Sequence, residues 1–256
     1  MSTMIWPNNR RCALSLTYDD ALPVHQELVA GALGKRGLKG TFYALISGDV
    51  MNNPAAWRQI AGEGHELGNH TLFHPCRKDP PEKFPWLDDG FDLRTYTPYR
   101  MFMELKLANF VLSMIDGKQE RTYGNTCADL FVGDDTAKVA IADIVRKEFI
   151  AARGPITNHP AIINGKTDFM TIGCCIADGR SLRDLKDQIL DARQKGGWIT
   201  YAMHGVGAGT NDLYIDYDVH ERLLDWLTGE TDIWVAPFIE VAKWARTITN
   251  SERDAG

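Results

Sequence analysis

The chain has 256 residues, 44% of them hydrophobic and 24% charged, a length and composition that suit one α/β hydrophobic core. Its formal charge of -6 argues against a nucleic-acid partner, which calls for a basic face. No apolar run reaches the roughly 20 residues that cross a bilayer, and no block of like charge marks a membrane-binding patch.

Residues 12–18 read as a short apolar strand and 23–36 as a helix closed by Gly37. GTFYAL at 40–45 is the next strand. Residues 54–64 open with Pro54, suited to a first helical turn, and form a helix ending on glycines. HELGNH (65–70) is a third strand running into a loop. The segment 77–99 then breaks the rhythm with four prolines, and a loop that long in a compact domain is functional or disordered. Its aromatics, Phe84, Trp86, Phe91, Tyr96 and Tyr99, argue for order, as the floor of a sugar site or as an interface. Phe102, Leu105, Ala108, Leu112 and Ile115 share one helical face ended by Gly117. A strand with its loop follows at 121–127, a helix at 136–149, and strands at 150–153 and 169–175. Ser181 caps a helix with Asp184 in its first turn. Then come a strand at 198–204, a helix at 218–228, a strand at 233–237 and a helix at 238–248.

About seven or eight strands alternating with helices predict a parallel α/β fold. With no repeat and no composition shift, one domain over 1–256 is expected, as a barrel or an open doubly wound sheet. In both, ligands gather at the carboxyl ends of the strands.

Five cysteines, an odd number without framework spacing, fit a reducing compartment. All five (Cys12, Cys76, Cys127, Cys174, Cys175) read as packing residues. Cys174 and Cys175, as strand neighbours, point to opposite faces and are poor partners for each other. The N-terminus lacks the order of a signal peptide, so the expected location is cytoplasmic.

Three predicted strand ends carry reactive groups: Asp19 and Asp20, His70 and His74, and His204. Five titratable groups converging on one rim form a constellation. The four-residue spacing of His70 and His74 puts both imidazoles on one side, as a metal requires. Adjacent aspartates can divide the work, one binding a cation and the other taking a proton. Two histidines and a carboxylate leave positions open for water and substrate, as in catalytic zinc sites. Non-haem iron oxygenases use the same set, but on folds unlike this alternation of helix and strand. His25, His65, His159 and His220 lack such partners and read as structural, with His65 packed beside the site.

TYDD (17–20), HELGNHTLFH (65–74) and YAMHGVG (201–207) resemble the first, second and fifth motifs of the polysaccharide deacetylases, carbohydrate esterase family 4 or NodB-homology proteins. The resemblance spans nearly the whole chain in the family's order. It implies a distorted (β/α)7-8 barrel with a divalent metal, commonly zinc, at its mouth. Asp20, His70 and His74 would hold the metal, Asp19 would be the general base and His204 the general acid. The third motif, with its arginine, is not intact: YGNTCAD (123–129) is the nearest segment. Arg153, at the next strand end, is preferred over Arg121 as its replacement, and Tyr123 is a further candidate for binding substrate or orienting the base. The fourth motif is not recognisable, leaving Asp168 and Asp178 as candidate partners of His204. The expected reaction is removal of acetyl groups from N- or O-acetylated saccharides. The alternatives are an amidohydrolase of the same fold acting on a small amide or ureide, and a sugar-binding domain without chemistry.

Overall fold

The computed structural model describes residues 6–254. The strands are β1 (Cys12–Asp19), β2 (Thr41–Ala44), β3 (Glu66–Asn69), β4 (Thr122–Gly124), β5 (Phe131–Val132), β6 (Val139–Ala140), β7 (Ala151–Ile156), β8 (Ile172–Ile176), β9 (Trp198–Met203), β10 (Gly205–Val206), β11 (Tyr214–Ile215) and β12 (Ile233–Val235). The helices are α1 (Ala30–Lys35), α2 (Pro54–Gly62), α3 (Pro98–Asp116), α4 (Ile141–Val145), α5 (Leu182–Lys195), α6 (Tyr217–Gly229) and α7 (Phe238–Asp254). No helix of the described residues is long and apolar enough to cross a membrane.

β1, β2, β3, β4, β7, β8 and β9 pair in parallel in that order, and β9 returns to β1 from Ala13 to Tyr18, closing a barrel. Of the two expected architectures, this is the barrel. β12 distorts it: it pairs with Cys12–Leu14 on the edge of β1 that β2 occupies further along, at Thr17–Asp19.

All eight residues of β1 are buried, as in a strand covered on both sides. Their alternation assigns them to two layers. Leu14, Leu16 and Tyr18 face outward and share a core with Leu33, Leu185 and Leu223 of the surrounding helices. Ser15 and Thr17 face inward, Ser15 accepting from Trp198 Nε1 at 3.1 Å and Thr17 from Arg153 at 2.7 Å. Within the barrel the Tyr43 ring lies where β-carbons on Gly68 and Gly124 would come within 2.5 and 2.8 Å of it. Those glycines make room for the ring, which lies 4.7 Å from the Arg153 guanidinium.

Local signals behave as their chemistry dictates. Thr97 caps α3 with Pro98 in the first turn, and Gly117 ends it at φ 72, a left-handed conformation that glycine adopts without strain. Ser181 and Asp184 form a reciprocal capping box on α5. The helix expected at 136–149 is much shorter. Val139–Ala140 pairs antiparallel with Phe131–Val132, and only Ile141–Val145 is α-helical. The β-branched Val139 is better used in that ladder than in a helical turn.

The cysteine expectation is corrected in part. Cys76 and Cys127 form a disulfide, with Cα atoms 5.8 Å apart across a separation of 51 residues. They follow the neighbouring strands β3 and β4, an adjacency that spacing alone does not reveal. Two of the five cysteines are therefore not packing thiols. Cys12, Cys174 and Cys175 are free and buried, in packing roles.

Candidate active site

The carboxyl ends of the strands open into a cavity of about 950 Å³ whose lining includes Asp19, Asp20, His70, His74, Arg153 and His204. Asp19 is the last residue of β1, and Asp20 and Ala21 turn away from it with φ of 74° and 52°. His70 directly follows β3. Thr71 and His74 also take positive φ, 69° and 55°, a conformation costly for residues with a side chain. Braces hold that turn. Asn69 Oδ1 accepts from the Thr71 N–H at 2.8 Å, Thr71 Oγ1 from the His74 N–H at 2.9 Å, and Glu104 of α3 from the Phe73 N–H at 3.3 Å.

Asp20 Oδ1 lies 3.4 Å from His70 Nε2 and 3.2 Å from His74 Nε2. His70 Nδ1 lies 2.8 Å from the Gly124 carbonyl, which can only accept, so Nδ1 carries the proton of the neutral ring. Nε2 then presents a lone pair to a carboxylate oxygen that itself finds no hydrogen-bond donor. Two facing lone pairs repel unless a cation lies between them. The separations also match ligands sharing one tetrahedral ion, roughly 3.4 Å for bonds of about 2.1 Å. The residues therefore fit a divalent metal, and the carbonyl behind His70 is the outer contact that metal-binding histidines usually have.

Beside this triad, Arg153 donates to Asp19 through both terminal nitrogens, at 2.8 and 2.5 Å. Burial pushes the Asp19 carboxyl up, but the guanidinium, with His70 and His204 nearby, brings it below the usual carboxylate range. Asp19 is thus held as an anion inside the protein.

His204 follows β9. Its Nδ1 lies 2.7 Å from Asp178 Oδ2, and its backbone N–H donates to Asp178 Oδ1 at 3.1 Å. Burial drives this imidazole down, yet the hydrogen bond to Asp178 and the charge of Asp19 outweigh it and raise the pKa to about 9. The site so pairs a low-pKa carboxylate with a high-pKa imidazolium.

The remaining candidates separate clearly. Arg121 is held by Asp116 at 2.5 and 2.6 Å and by the Leu67 carbonyl, outside the cavity. Tyr123 is fully buried in the core against Phe149 and is not among the residues that line the cavity. Asp168 binds Arg146 at the surface, leaving Asp178 as the partner of His204. His65 precedes β3 at the opposite rim, where its Nδ1 accepts from the Gly40 N–H. The histidine packed beside the site is His25, whose Nε2 lies 2.8 Å from the His204 carbonyl. The aromatic segment divides: Phe84 and Trp86 line the cavity, Phe91 stacks on Phe73, and Tyr96 is buried with its hydroxyl on Glu104. Asn125, inside the YGNTCAD segment but not singled out there, lines the cavity with a buried, unpaired Oδ1.

Residues 7–129 match the polysaccharide deacetylase family. A gellan lyase from Bacillus sp is 22% identical over 94% of this chain, which spans 10% of that protein. A peptidoglycan-N-acetylglucosamine deacetylase from Bacillus cereus is 36% identical over 27% of this chain and 32% of its own length. The chain thus spans a third or less of these two relatives. Among solved structures, one from Mycobacterium smegmatis described as a polysaccharide deacetylase superposes with a TM-score of 0.66 at 15% identity, covering 96% of this chain and 94% of its own. The allantoinase Puue gives 0.62 at 11% identity, covering 93% and 91%. The solved structures establish the fold, and over residues 7–129, just under half of the chain, the sequence itself matches the polysaccharide deacetylase family.

Proposed function

We propose that the chain is a metal-dependent hydrolase that removes acetyl groups from N- or O-acetylated saccharides. The observation that carries this reading is the facing of Asp20 Oδ1 with two imidazole nitrogens beside a buried Asp19–Arg153 pair. Asp20, His70 and His74 would hold a divalent cation, and zinc suits two nitrogens and one oxygen. When bound, the cation would polarise the scissile carbonyl and acidify the attacking water.

The chain's own residues supply the proton transfers. Asp19, kept ionised by Arg153, takes the proton from the attacking water. Each of its oxygens retains a lone pair beyond those Arg153 uses. His204, kept charged by Asp178, gives a proton to the leaving amine or alcohol. Acetate and a free sugar amine or hydroxyl leave. Trp86, 61% exposed and 5.7 Å from the His74 ring, offers an apolar face to a pyranose ring. The cavity's size also favours a saccharide over a small ureide.

The test is acetate release from a panel of acetylated oligosaccharides, before chelation, after it, and after zinc is returned. Release that stops with the chelator and resumes with zinc supports the reading. Turnover of small amides alone would replace it with the amidohydrolase, and binding without release from any substrate would leave a sugar-binding domain.

A further inference from the structure

His70 and His74 differ in what stands behind them. His70 turns its second ring nitrogen to a backbone carbonyl, whereas His74 Nδ1 meets sulfur, lying 3.4 Å from Cys76 Sγ. One ligand atom from each of His74, Cys76 and Cys127 lies within 4.8 Å of the others. An ion bound by a thiolate and an imidazole holds those atoms roughly 3.5 Å apart, for bonds of about 2.3 and 2.1 Å. The His74–Cys76 pair already has that separation. Bonded to each other, the two sulfurs have no thiolate to offer; separated, they complete the set.

We propose that the reduced chain carries a second metal site, of thiolate–imidazole type, formed by Cys76, Cys127 and Nδ1 of His74, and that the Cys76–Cys127 disulfide closes it. The site takes a soft or borderline divalent ion such as zinc or cobalt, for which two thiolates and an imidazole are a fitting donor set. The inference rests on the placement of His74 and not on the reaction proposed above.

The chemistry balances. A dithiol reductant delivers two electrons and two protons to the sulfur–sulfur bond and leaves as its own disulfide. Cys127 lines the cavity, so the attacking thiolate has a path to its sulfur, while Cys76 is fully buried. Both new thiols lose their protons as the ion binds. His74 would then offer Nδ1 to this site and Nε2 to the group formed with Asp20 and His70. In reverse, exchange with a small-molecule disulfide reforms the bond and releases the second ion, the added disulfide taking up the two electrons and two protons and leaving as two thiols.

The experiment loads the whole chain with cobalt(II), in disulfide and in dithiothreitol-reduced, desalted form under inert gas. Bound metal is counted by elemental analysis and thiolate ligation read from the near-ultraviolet charge-transfer absorption. Reduction is expected to raise the count by one ion per chain and to produce that absorption, and re-oxidation to reverse both. Cys127→Ser and the double Cys76→Ala, Cys127→Ala chain should keep the lower count under reducing conditions. An unchanged count on reduction, an added ion without the thiolate absorption, or an added ion in the double variant would each overturn the proposal. The increment is read relative to the oxidised chain. A first site that binds no metal would therefore count against the proposed hydrolase and leave this test intact.

Discussion

At the rim formed by the strand starts, Glu66 accepts from Thr41 and Thr122 on the flanking strands, at 2.7 and 2.5 Å, and from the Ile239 N–H at 2.9 Å. Thr41 in turn accepts from the Phe238 N–H, so the start of α7 seals that end. At the opposite rim, Asp20 Oδ1 and Asn125 Oδ1 are buried without a donor. There Asp20, Ala21, Thr71, His74, Cys127 and Ala128 all take positive φ. At the first rim the Glu66 carboxylate finds donors on three elements, while the second leaves acceptor lone pairs and strained backbone in place. Strain and unmet hydrogen bonds collect where a site must bind something other than itself.

Variants at each rim can break or sharpen this contrast. The largest effect is expected from Asp19→Asn, which should lower acetate release roughly 10³-fold or more while metal content stays constant. Retained turnover would remove Asp19 from the role of base. Asp178→Asn comes next, with a loss of roughly 10²-fold. His204 must be protonated to act as an acid, so activity falls as pH rises through its pKa. Losing the carboxylate that raises that pKa toward about 9 should move the alkaline limb of kcat/KM to lower pH. An unmoved limb would mean that another group sets it.

The sealed rim should answer in stability instead. Glu66→Ala leaves two threonine hydroxyls and a backbone N–H without their acceptor, at a cost of about 2–3 kcal/mol. Urea unfolding should register that loss while the kcat of the remaining folded protein stays near that of the parent. A fall in kcat without a fall in stability would contradict the division between rims. The smallest effect is expected from Trp86→Ala: a KM for oligosaccharides raised roughly 5-fold, with kcat unchanged.

The strand ends at Asp19, His70 and His204 are legible because period and punctuation are local properties, and closure of the barrel then carries these residues to one rim. Arg153 required more, since nothing near it in the chain resembles a motif. It reaches Asp19 because β7 pairs with β4 at Gly124 and the barrel interior carries the guanidinium across. Asp178 and Asp168 look equivalent in sequence, and only the course of the chain after β8 separates them. The Cys76–Cys127 pairing depends on two loops meeting, which no spacing encodes. Tyr123 enters as a candidate with the segment nearest the third motif, yet its ring turns into the core. Strand period gives alternation, but which face is inside comes only from the closed sheet.

His25 has a consequence for any attempt to re-engineer the mouth of this barrel. Its Nδ1 accepts from the Leu22 N–H at 3.2 Å, and its Nε2 then carries the proton given to the His204 carbonyl. One ring so couples the segment after Asp19 and Asp20 to the segment bearing His204. Burial lowers its pKa to about 4, so this tie stays electrically silent while His204 changes charge. Loops grafted onto either segment inherit a fixed spacing to the other, and a transplant that replaces one without His25 would need to re-register both.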